Sequence, residues 1–494
     1  MKKFTAVFSF CPPPRYNRMM HSFLESPLIA KVLLVRAEPL MSSWPGCEIM
    51  ETDFFTSGQT WNSLIRHIRT EYILIVNGRD EVIIAPGALK RFLDVAEATG
   101  AGLIYSDYCE QKDGNMADHP VNDYQTGSIR EGFDFGPVMI FPLSAIRSAL
   151  EQYGDLAETK YAGLYDLRMK VSIHAPPFHI QEFLYTRKIN SGHTSQREEH
   201  FDYVDPRNYA AQKEMEEVAT QHLKHIGAYL PPEFMPAPSS GYAFPLEASV
   251  VIPVLNRERT ITDAIKSVLS QKTNFPFNVI VVDNHSTDGT TATLIELAKR
   301  NSAVRHIVPS RVDLSIGGCW NEAIASPECG RYAVQLDSDD LYGSPETLQK
   351  LVDALRDSKC AMVIGSYTLV DKELEEIPPG LIDHREWSDE NGHNNALRVN
   401  GLGAPRAYDT ALIRKIGFLN VGYGEDYALA LRLCREYRIG RIYESLYLCR
   451  RWSGNTDASL AIETRNRYDA FKDKIRTIEI MARQKKNREK AAAT

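Results

Sequence analysis

The chain lacks three features that would each place it in a specialised class. None of its apolar runs reaches the roughly 18 residues that a membrane-spanning helix needs, so no transmembrane segment is expected. Its eight cysteines include no CxxC pair and no cluster with histidine, which argues against a zinc site or a disulfide framework and favours a reducing cytoplasm. The net charge of -7 and the pI near 6.1 lack the basic field of a nucleic-acid binder. The sequence predicts an ordinary soluble protein of roughly two or three domains.

The first residues, MKKFTAVFSF, combine a basic pair with a short apolar stretch, as a signal sequence does. Three prolines follow directly, and no small-residue cleavage site is present. We interpret this stretch as the first strand of a domain.

Strands rich in valine and isoleucine alternate with helical patterns in the second half of the chain. EASVVIPV and FNVIVVDN are typical of buried strands, and TITDAIKSVLSQ between them places its apolar residues on one helical face. This alternation predicts an α/β fold with a mostly parallel sheet. Residues 230–247 are rich in proline and small residues, which predicts a linker.

Segments of the first half recur about 260 residues later. TSGQTWNSLIRHIRTEYILIVNGRDEV parallels LSIGGCWNEAIASPECGRYAVQLDSDDLY, so that Asn62 corresponds to Asn321. The repeat predicts two tandem copies of one α/β domain, at residues 1–229 and 248–494, the second ending in a C-terminal helix. Chance similarity between unrelated α/β domains is the alternative.

Three acidic features of the second copy are missing from the first. Asp337, Asp339 and Asp340 align with Asn77, Arg79 and Asp80; Asp283 aligns with Arg36; and Glu425-Asp426 align with Gly163-Leu164. Their joint loss predicts that only the second copy keeps a functional site. The first copy is then expected to bind neither metal nor nucleotide-sugar, and to serve in acceptor positioning, domain packing or dimerisation.

Each acidic feature has a chemical use. Asp337 and Asp339 follow a strand, at the edge where open α/β sheets bind ligands, and their oxygens suit Mg²⁺ or Mn²⁺. Asp283 ends a neighbouring strand and could accept hydrogen bonds from a nucleobase or ribose. Asp426 begins a helix, where the macrodipole keeps a carboxylate ionised and able to act as a general base.

Five segments together resemble the inverting glycosyltransferases of family 2, which have the GT-A, Rossmann-like fold. They are SVVIPVLNRERTITDAIKSVLSQ, VIVVDNHSTDGT, GGCWNEAI, YAVQLDSDDLY and IRKIGFLNVGYGEDYALALRL. The resemblance covers residues 248 to about 457, and residues 1 to about 200 resemble the family more weakly, as a degenerate copy.

The resemblance implies a role for each candidate residue. Asp426 would be the catalytic base, and Asp337 and Asp339 would hold a divalent metal, Mn²⁺ or Mg²⁺. The implied nucleotide-sugar pocket includes Pro253, Asn256, Glu258, Asp283 and Asp337, and Asn321 and Glu425 are further candidates for it. Arg450 and Arg451 could donate charge-assisted hydrogen bonds to the diphosphate, which makes Arg451 another candidate, and a solvated basic turn is the alternative for both. Many relatives carry a further histidine ligand where this chain reads CRRWSGNT, which leaves the third protein ligand open.

The resemblance implies sugar transfer from a nucleotide-sugar, most often a UDP-sugar, to a hydroxyl of a glycan or glycolipid, as in polysaccharide biosynthesis. LCRRW lacks the leading residue of the processive Q/RxxRW motif, so non-processive transfer is expected. A nucleotidyltransferase and a non-catalytic carbohydrate-binding or scaffold protein are the alternatives. A homodimer and peripheral attachment to the inner membrane face stay open. His384 and His393 are interpreted as solvated loop histidines.

Overall fold

A computed structural model describes residues 2–9, 16–36, 46–52, 54–78, 80–189, 206–237, 243–452, 455 and 460–493. The chain forms two compact units. The first unit spans Met1–Gln196, Ala210–Tyr229 and Ala461–Thr494, and the second spans Arg197–Tyr209 and Leu230–Leu460.

The first unit contains a seven-stranded and a four-stranded sheet. Its strands are β1 (Phe4–Ser9), β2 (Ile29–Arg36), β3 (Cys47–Glu51), β4 (Tyr72–Val76), β5 (Glu81–Ile84), β6 (Ile104–Ser106), β7 (Tyr108–Lys112), β8 (Asn115–His119), β9 (Val138–Pro142), β10 (Phe178–Ile180) and β11 (Tyr185–Ile189). Its helices are Tyr16–Leu24, Gly58–His67, Ala88–Thr99, Leu143–Tyr153, Gly163–Ser172, Tyr209–His225 and Ile462–Ala493. A 3-10 turn at Pro206–Asn208, just before the helix Tyr209–His225, belongs to the second unit. The strand predicted in MKKFTAVFSF is confirmed as β1.

The second unit is built around one nine-stranded sheet. Its strands are β12 (Ala248–Val254), β13 (Phe277–Asp283), β14 (Val304–Ile307), β15 (Tyr332–Gln335), β16 (Leu341–Tyr342), β17 (Met362–Val370), β18 (Glu376–Ile382), β19 (Arg406–Asp409) and β20 (Ile439–Arg450). Its helices are Ile261–Leu269, Thr290–Arg300, Ile316–Ala325, Thr347–Ser358, Gly392–Asn395, Thr410–Ile416 and Glu425–Cys434. β12 and β13 are buried over most of their length, which explains why they are near-continuous apolar runs.

Seven strands follow the same order in the two large sheets, and the second sheet adds β16 beside β20 and β18 beside β17. The shared order is β3-β2-β1-β4-β9-β6-β10 in the first unit and β14-β13-β12-β15-β19-β17-β20 in the second. In each, the fifth strand of this order runs antiparallel to both of its neighbours, and the other pairs are parallel. The predicted α/β class with mostly parallel sheets is confirmed.

The repeated asparagine forms the same contact in each unit. Asn62 donates to the carbonyl of Leu156 at 3.0 Å and accepts from its backbone N–H at 3.0 Å. Asn321 makes the equivalent pair with Phe418, at 2.9 and 2.8 Å. Each asparagine therefore connects its helix to a segment between two later helices. This segment joins Leu143–Tyr153 to Gly163–Ser172 in the first unit and Thr410–Ile416 to Glu425–Cys434 in the second. That the first unit is a degenerate copy of the second stays a prediction.

The C-terminal helix Ile462–Ala493 belongs to the first unit, whereas the sequence placed it in a domain at 248–494. Its Asp473 is fully buried; it accepts from Ser128 Oγ at 2.9 Å and lies 3.3 Å from Arg130 Nε. Arg476 Nη1 donates to the same carboxylate at 2.6 Å. The helix docks through buried ion pairs, and such pairs leave no apolar stripe in the sequence that would reveal where it packs.

We expect Asp473→Ala to lower the free energy of unfolding by about 3–5 kcal/mol, because it leaves buried guanidinium groups without the carboxylate they share. Urea denaturation followed by circular dichroism measures the change. Glu489→Ala on the same helix removes an exposed partner of Lys485 and serves as the control, with an expected loss below about 0.5 kcal/mol. A loss below about 1 kcal/mol in Asp473→Ala would contradict the assigned role.

Candidate active site

Carboxylates gather at the carboxyl end of β15, at the centre of the second unit's sheet. Gln335 ends the strand and donates from Nε2 to both oxygens of Asp337, at 3.0 and 3.1 Å. The backbone N–H of Asp337 donates to the Tyr447 hydroxyl at 3.1 Å, which fixes the turn to β20. The first candidate metal ligand is thus held from two strands.

Asp339 and Asp340 lie within the same concentration of negative charge. Burial, and next the Asp337 carboxylate, raise the pKa of Asp339 above its usual value. Burial, and next Asp339, raise the pKa of Asp340 well above its usual value, although its Oδ1 accepts from the Arg450 N–H at 2.8 Å. A bound cation would relieve this repulsion.

Donor chemistry decides which cation fits. Asp337 and Asp339 offer hard carboxylate oxygens, and Mg²⁺ typically takes one or two carboxylates together with waters and substrate phosphates. Among the described residues, no three histidine, cysteine or acidic side chains form a complete metal cage. The chemistry of the pair therefore fits a divalent cation such as Mg²⁺ or Mn²⁺.

Basic and amide groups border Asp339. Arg257 Nε lies 3.6 Å from its Oδ2, and Asn455 Nδ2 donates to the same oxygen at 3.3 Å. Arg450 donates to its backbone carbonyl and lies 3.6 Å from Asp263, while its Nη2 is buried with no hydrogen-bond partner. Asn455 thus occupies the segment where the sequence left the third metal ligand open.

Asp283, at the end of β13, is completely enclosed. Its oxygens accept from the Ser286 N–H at 3.0 Å and from Thr291 Oγ1 at 2.6 Å, and His306 Nε2 lies 3.4 Å away. Burial opposes its ionisation, but the hydrogen bonds from Thr291 and Ser286 outweigh burial and hold its pKa below the usual value. In this geometry Asp283 organises the loop after β13, and a direct contact with a nucleobase requires that loop to move.

Two other candidates connect neighbouring loops. Asn256, at φ 53°, accepts from the Thr287 N–H at 2.7 Å, and its own N–H donates to Ser286 Oγ at 2.9 Å. Glu258 accepts from the Gly289 N–H at 3.3 Å. These contacts join the loop after β12 to the loop after β13.

The remaining pocket candidates differ in accessibility. Pro253 is half-buried within β12, opposite Val282, and Glu425 is buried at the start of its helix. Arg451 is half-buried, and its N–H donates to the Val370 carbonyl at 2.7 Å. Asn321 uses both ends of its amide on Phe418, so the structure gives it a positional role.

Asp426 lies in the first turn of the helix Glu425–Cys434, which begins one residue before the start that the sequence predicted. Its Oδ1 accepts from the Tyr427 N–H at 2.7 Å, and its Oδ2 forms an ion pair with Arg406 Nη1. Arg406 Nε donates to Gln335 Oε1 at 2.8 Å. Asp426 therefore connects, through two side chains, to the carboxylates after β15.

The interpretation of His384 and His393 as solvated is wrong, since their exposed fractions are 1% and 2%. His384 Nδ1 lies 3.0 Å from Glu386 Oε1, and His393 Nε2 lies 2.8 Å from the Leu230 carbonyl. The polar residues around them in the sequence suggested an exposed loop. In the structure both side chains are buried beside these polar partners, one of which, Leu230, is distant in sequence.

The first unit differs at the corresponding positions. Arg36, at the end of β2, is buried, and its Nη2 pairs with Glu51 at 2.9 Å. Asp80 pairs with Arg187 at 2.8 Å, so it is neutralised within the protein. Arg79 lies outside the described residues. Among the described part of the chain, no helix is long and apolar enough to span a bilayer.

Comparison with known proteins identifies the second unit's family. The model of glycosyl transferase family 2 matches residues 249–418. EpsE of Bacillus subtilis (strain 168), named as a glycosyltransferase, is 30% identical over 223 residues, which cover 41% of this chain and 73% of EpsE. The chain belongs to glycosyltransferase family 2. It is therefore a glycosyltransferase, and this excludes the non-catalytic scaffold as the role of the whole chain.

Two more distant similarities accompany this family 2 match. WfgD of Escherichia coli, a UDP-Glc:alpha-D-GlcNAc-diphosphoundecaprenol beta-1,3-glucosyltransferase, is 25% identical over 198 residues, covering 39% of this chain and 72% of WfgD. The structure of S. aureus TarS 1-349 with UDP-GlcNAc is 22% identical, with a TM-score of 0.36, and covers 48% of this chain and 72% of TarS.

Several residues that contact this candidate site were missed from the sequence. Gln335 carried a signal, because it is a polar residue in the otherwise apolar strand YAVQ. Arg406 carried none, because its partners lie 71 residues earlier and 20 residues later, and only the strand register brings them together. Asn455 is an isolated polar residue whose role depends on the path of the chain after β20.

Proposed function

We propose that the second unit is a divalent-metal-dependent, inverting and non-processive glycosyltransferase that moves a sugar from a UDP-sugar to a hydroxyl of a glycan or glycolipid. The observation that carries the proposal is the connected set of Asp337, Gln335, Arg406 and Asp426, which brings candidate donor and acceptor groups into one site. The name of WfgD supports UDP as the nucleotide and a lipid-linked diphosphate sugar as the acceptor class. Such an acceptor would favour peripheral attachment at a membrane.

On the donor side, Asp337 and Asp339 would hold the cation. When bound, Mn²⁺ or Mg²⁺ neutralises the charge that develops on the leaving UDP. Arg450 supports this assignment, because it is buried beside Asp339 with Nη2 unpartnered and could form a charge-assisted hydrogen bond to a diphosphate oxygen. Asn256 and Glu258 would keep the pocket wall in place through their contacts with the loop after β13.

On the acceptor side, Asp426 would be the general base. Its place in the first turn of a helix favours the ionised carboxylate, and its side chain is 27% exposed and therefore within reach of an acceptor. As the acceptor oxygen forms its bond to the anomeric carbon, its proton passes to Asp426 and the bond to UDP breaks. Direct displacement inverts the anomeric configuration.

For the first unit we propose a role without catalysis: acceptor positioning, domain packing or dimerisation. The seven strands of its large sheet follow the order of seven strands of the catalytic sheet, which supports a common origin. A buried arginine occupies the strand end where Asp283 lies in the second unit, and Leu164 occupies the position of Asp426. These replacements remove the carboxylates that the proposed chemistry needs.

A donor screen tests the proposal. We expect the purified full chain to release nucleoside diphosphate from one UDP-sugar in a panel of UDP-, GDP- and dTDP-sugars with Mn²⁺. EDTA should abolish this release, and excess Mn²⁺ or Mg²⁺ should restore it, because only a cation held by Asp337 and Asp339 would offset the negative charge of these carboxylates and of the diphosphate. Full turnover in EDTA would overturn the metal requirement, and a preference for GDP- or dTDP-sugars would overturn the UDP assignment.

A further inference from the structure

Two side chains, Arg406 and Gln335, form a continuous link between Asp426 and Asp337. The guanidinium of Arg406 contacts Asp426 Oδ2 through Nη1 and donates from Nε to Gln335 Oε1 at 2.8 Å. The other end of the Gln335 amide donates to both oxygens of Asp337, at 3.0 and 3.1 Å. The Arg406 side chain is 14% exposed, and Gln335 is buried. The link is therefore largely shielded from water.

The register of β19 determines where the backbone of Arg406 lies in the sheet. β19 pairs antiparallel with β15, with Val334 opposite Ala407, so the next residues along the two strands are Gln335 and Arg406. On its other side, Arg406 is in register with Ile364 of β17. An arginine anchored at the sheet centre can direct its planar fork to two partners at once, which a lysine cannot do.

The link also determines how Asp426 is oriented. Its Oδ1 is held by the Tyr427 N–H at 2.7 Å, and its Oδ2 is held by Arg406. With both oxygens in contact with fixed donors, the carboxylate cannot rotate freely. Orientation matters for a general base, because a displacement of about 1 Å can cost about 10²-fold in rate.

We propose that Arg406 is the positioning residue of Asp426, and that Gln335 holds Arg406 in place from the strand end that carries Asp337. The inference rests on the proposed function, because it takes Asp426 as the base. Arg406 exchanges no proton in the reaction. The acceptor proton moves to Asp426, the acceptor oxygen bonds to the anomeric carbon, and the bond from that carbon to UDP breaks.

Kinetics of Arg406 variants of the full chain test this role, with the most active UDP-sugar of the donor screen as substrate. We expect Arg406→Gln to lower kcat about 10- to 100-fold and to leave the Kd for UDP with Mn²⁺ within about twofold. Arg406→Lys should lose nearly as much, because one ammonium cannot hold Asp426 and Gln335 together.

A double-mutant cycle distinguishes an effect of Arg406 on Asp426 from an independent loss of structure or activity. If Arg406 acts through Asp426, Arg406→Gln should cause no further loss in an Asp426→Asn background, whereas independent effects would multiply. Arg356→Gln breaks another arginine–carboxylate pair of the second unit, with Glu247, and should keep wild-type turnover. Should Arg406→Gln fail to fold, Arg406→Lys completes the same cycle.

Three outcomes would overturn the inference: kcat of Arg406→Gln within twofold of wild type, kcat of Arg406→Lys at the wild-type level, or losses that multiply fully in the double variant. Wild-type turnover in Asp426→Asn alone would instead overturn the assignment of the base.

Discussion

Asp426→Asn is expected to lower kcat for sugar transfer by about 10²- to 10⁴-fold, because an amide of the same size cannot take the proton of the acceptor hydroxyl. The variant should still fold, since the amide oxygen can accept from the Tyr427 N–H as the carboxylate does. Donor binding should change little, because among the described residues Asp426 connects to Asp337, the proposed donor-side carboxylate, through Arg406 and Gln335. Steady-state kinetics and calorimetry with UDP and Mn²⁺ measure the two properties.

A matched control for Asp426→Asn is available in the same unit. Asp389 also forms an ion pair with an arginine, Arg438, but the pair is exposed, so Asp389→Asn should keep nearly wild-type kcat. If Asp426→Asn kept turnover within threefold of wild type, the base would have to be another group. A large loss of UDP affinity in the same variant would show that Asp426 serves the donor instead.

The sequence predicted that the candidate carboxylates lie at strand ends, because they directly follow apolar runs. In a mostly parallel sheet such residues converge on one edge, so Asp283 and Asp337 could be placed without coordinates. Their detailed roles could not be predicted. Asp283 is enclosed by Ser286 and Thr291 of the following loop, and that enclosure depends on how the loop folds back.

Contacts that depend on the pairing of distant strands were missed. Arg406 meets Gln335 because β19 inserts between β15 and β17 and runs antiparallel to both, an order that helical and strand periodicity cannot reveal. The C-terminal helix was assigned to the wrong unit for a related reason. Its docking depends on Asp473 and Arg476, which in sequence look like residues of a solvated face.

Asp339→Asn is expected to have opposite effects on activity and on stability. Turnover should fall by more than about 10²-fold, because even residues that only support a metal ligand are typically worth about 10- to 100-fold. The metal-free protein should be at least as stable as wild type at neutral pH. The folded-state pKa of Asp339 is raised, by burial and then by Asp337, so its ionised form opposes folding above the pKa of the unfolded chain. This destabilising contribution of Asp339 decreases as the pH falls, because its carboxyl group becomes protonated.

Urea denaturation of metal-free wild type and Asp339→Asn at pH 7 measures the change in the free energy of unfolding. Titration with UDP and Mn²⁺ measures how many UDP molecules bind per chain. Wild type should bind close to one UDP per chain, and Asp339→Asn should lose that binding, because the first unit carries Asn77 and Leu164 where the second carries Asp337 and Asp426. Both units remain in the full chain, which matters because the C-terminal helix completes the first unit. Two UDP sites in wild type, or one site surviving in the variant, would show that the first unit binds nucleotide. A marked loss of metal-free stability would show instead that Asp339 is a structural carboxylate. Its contacts with Arg257 and Asn455 would then stabilise the fold, and it would not be a ligand for a cation.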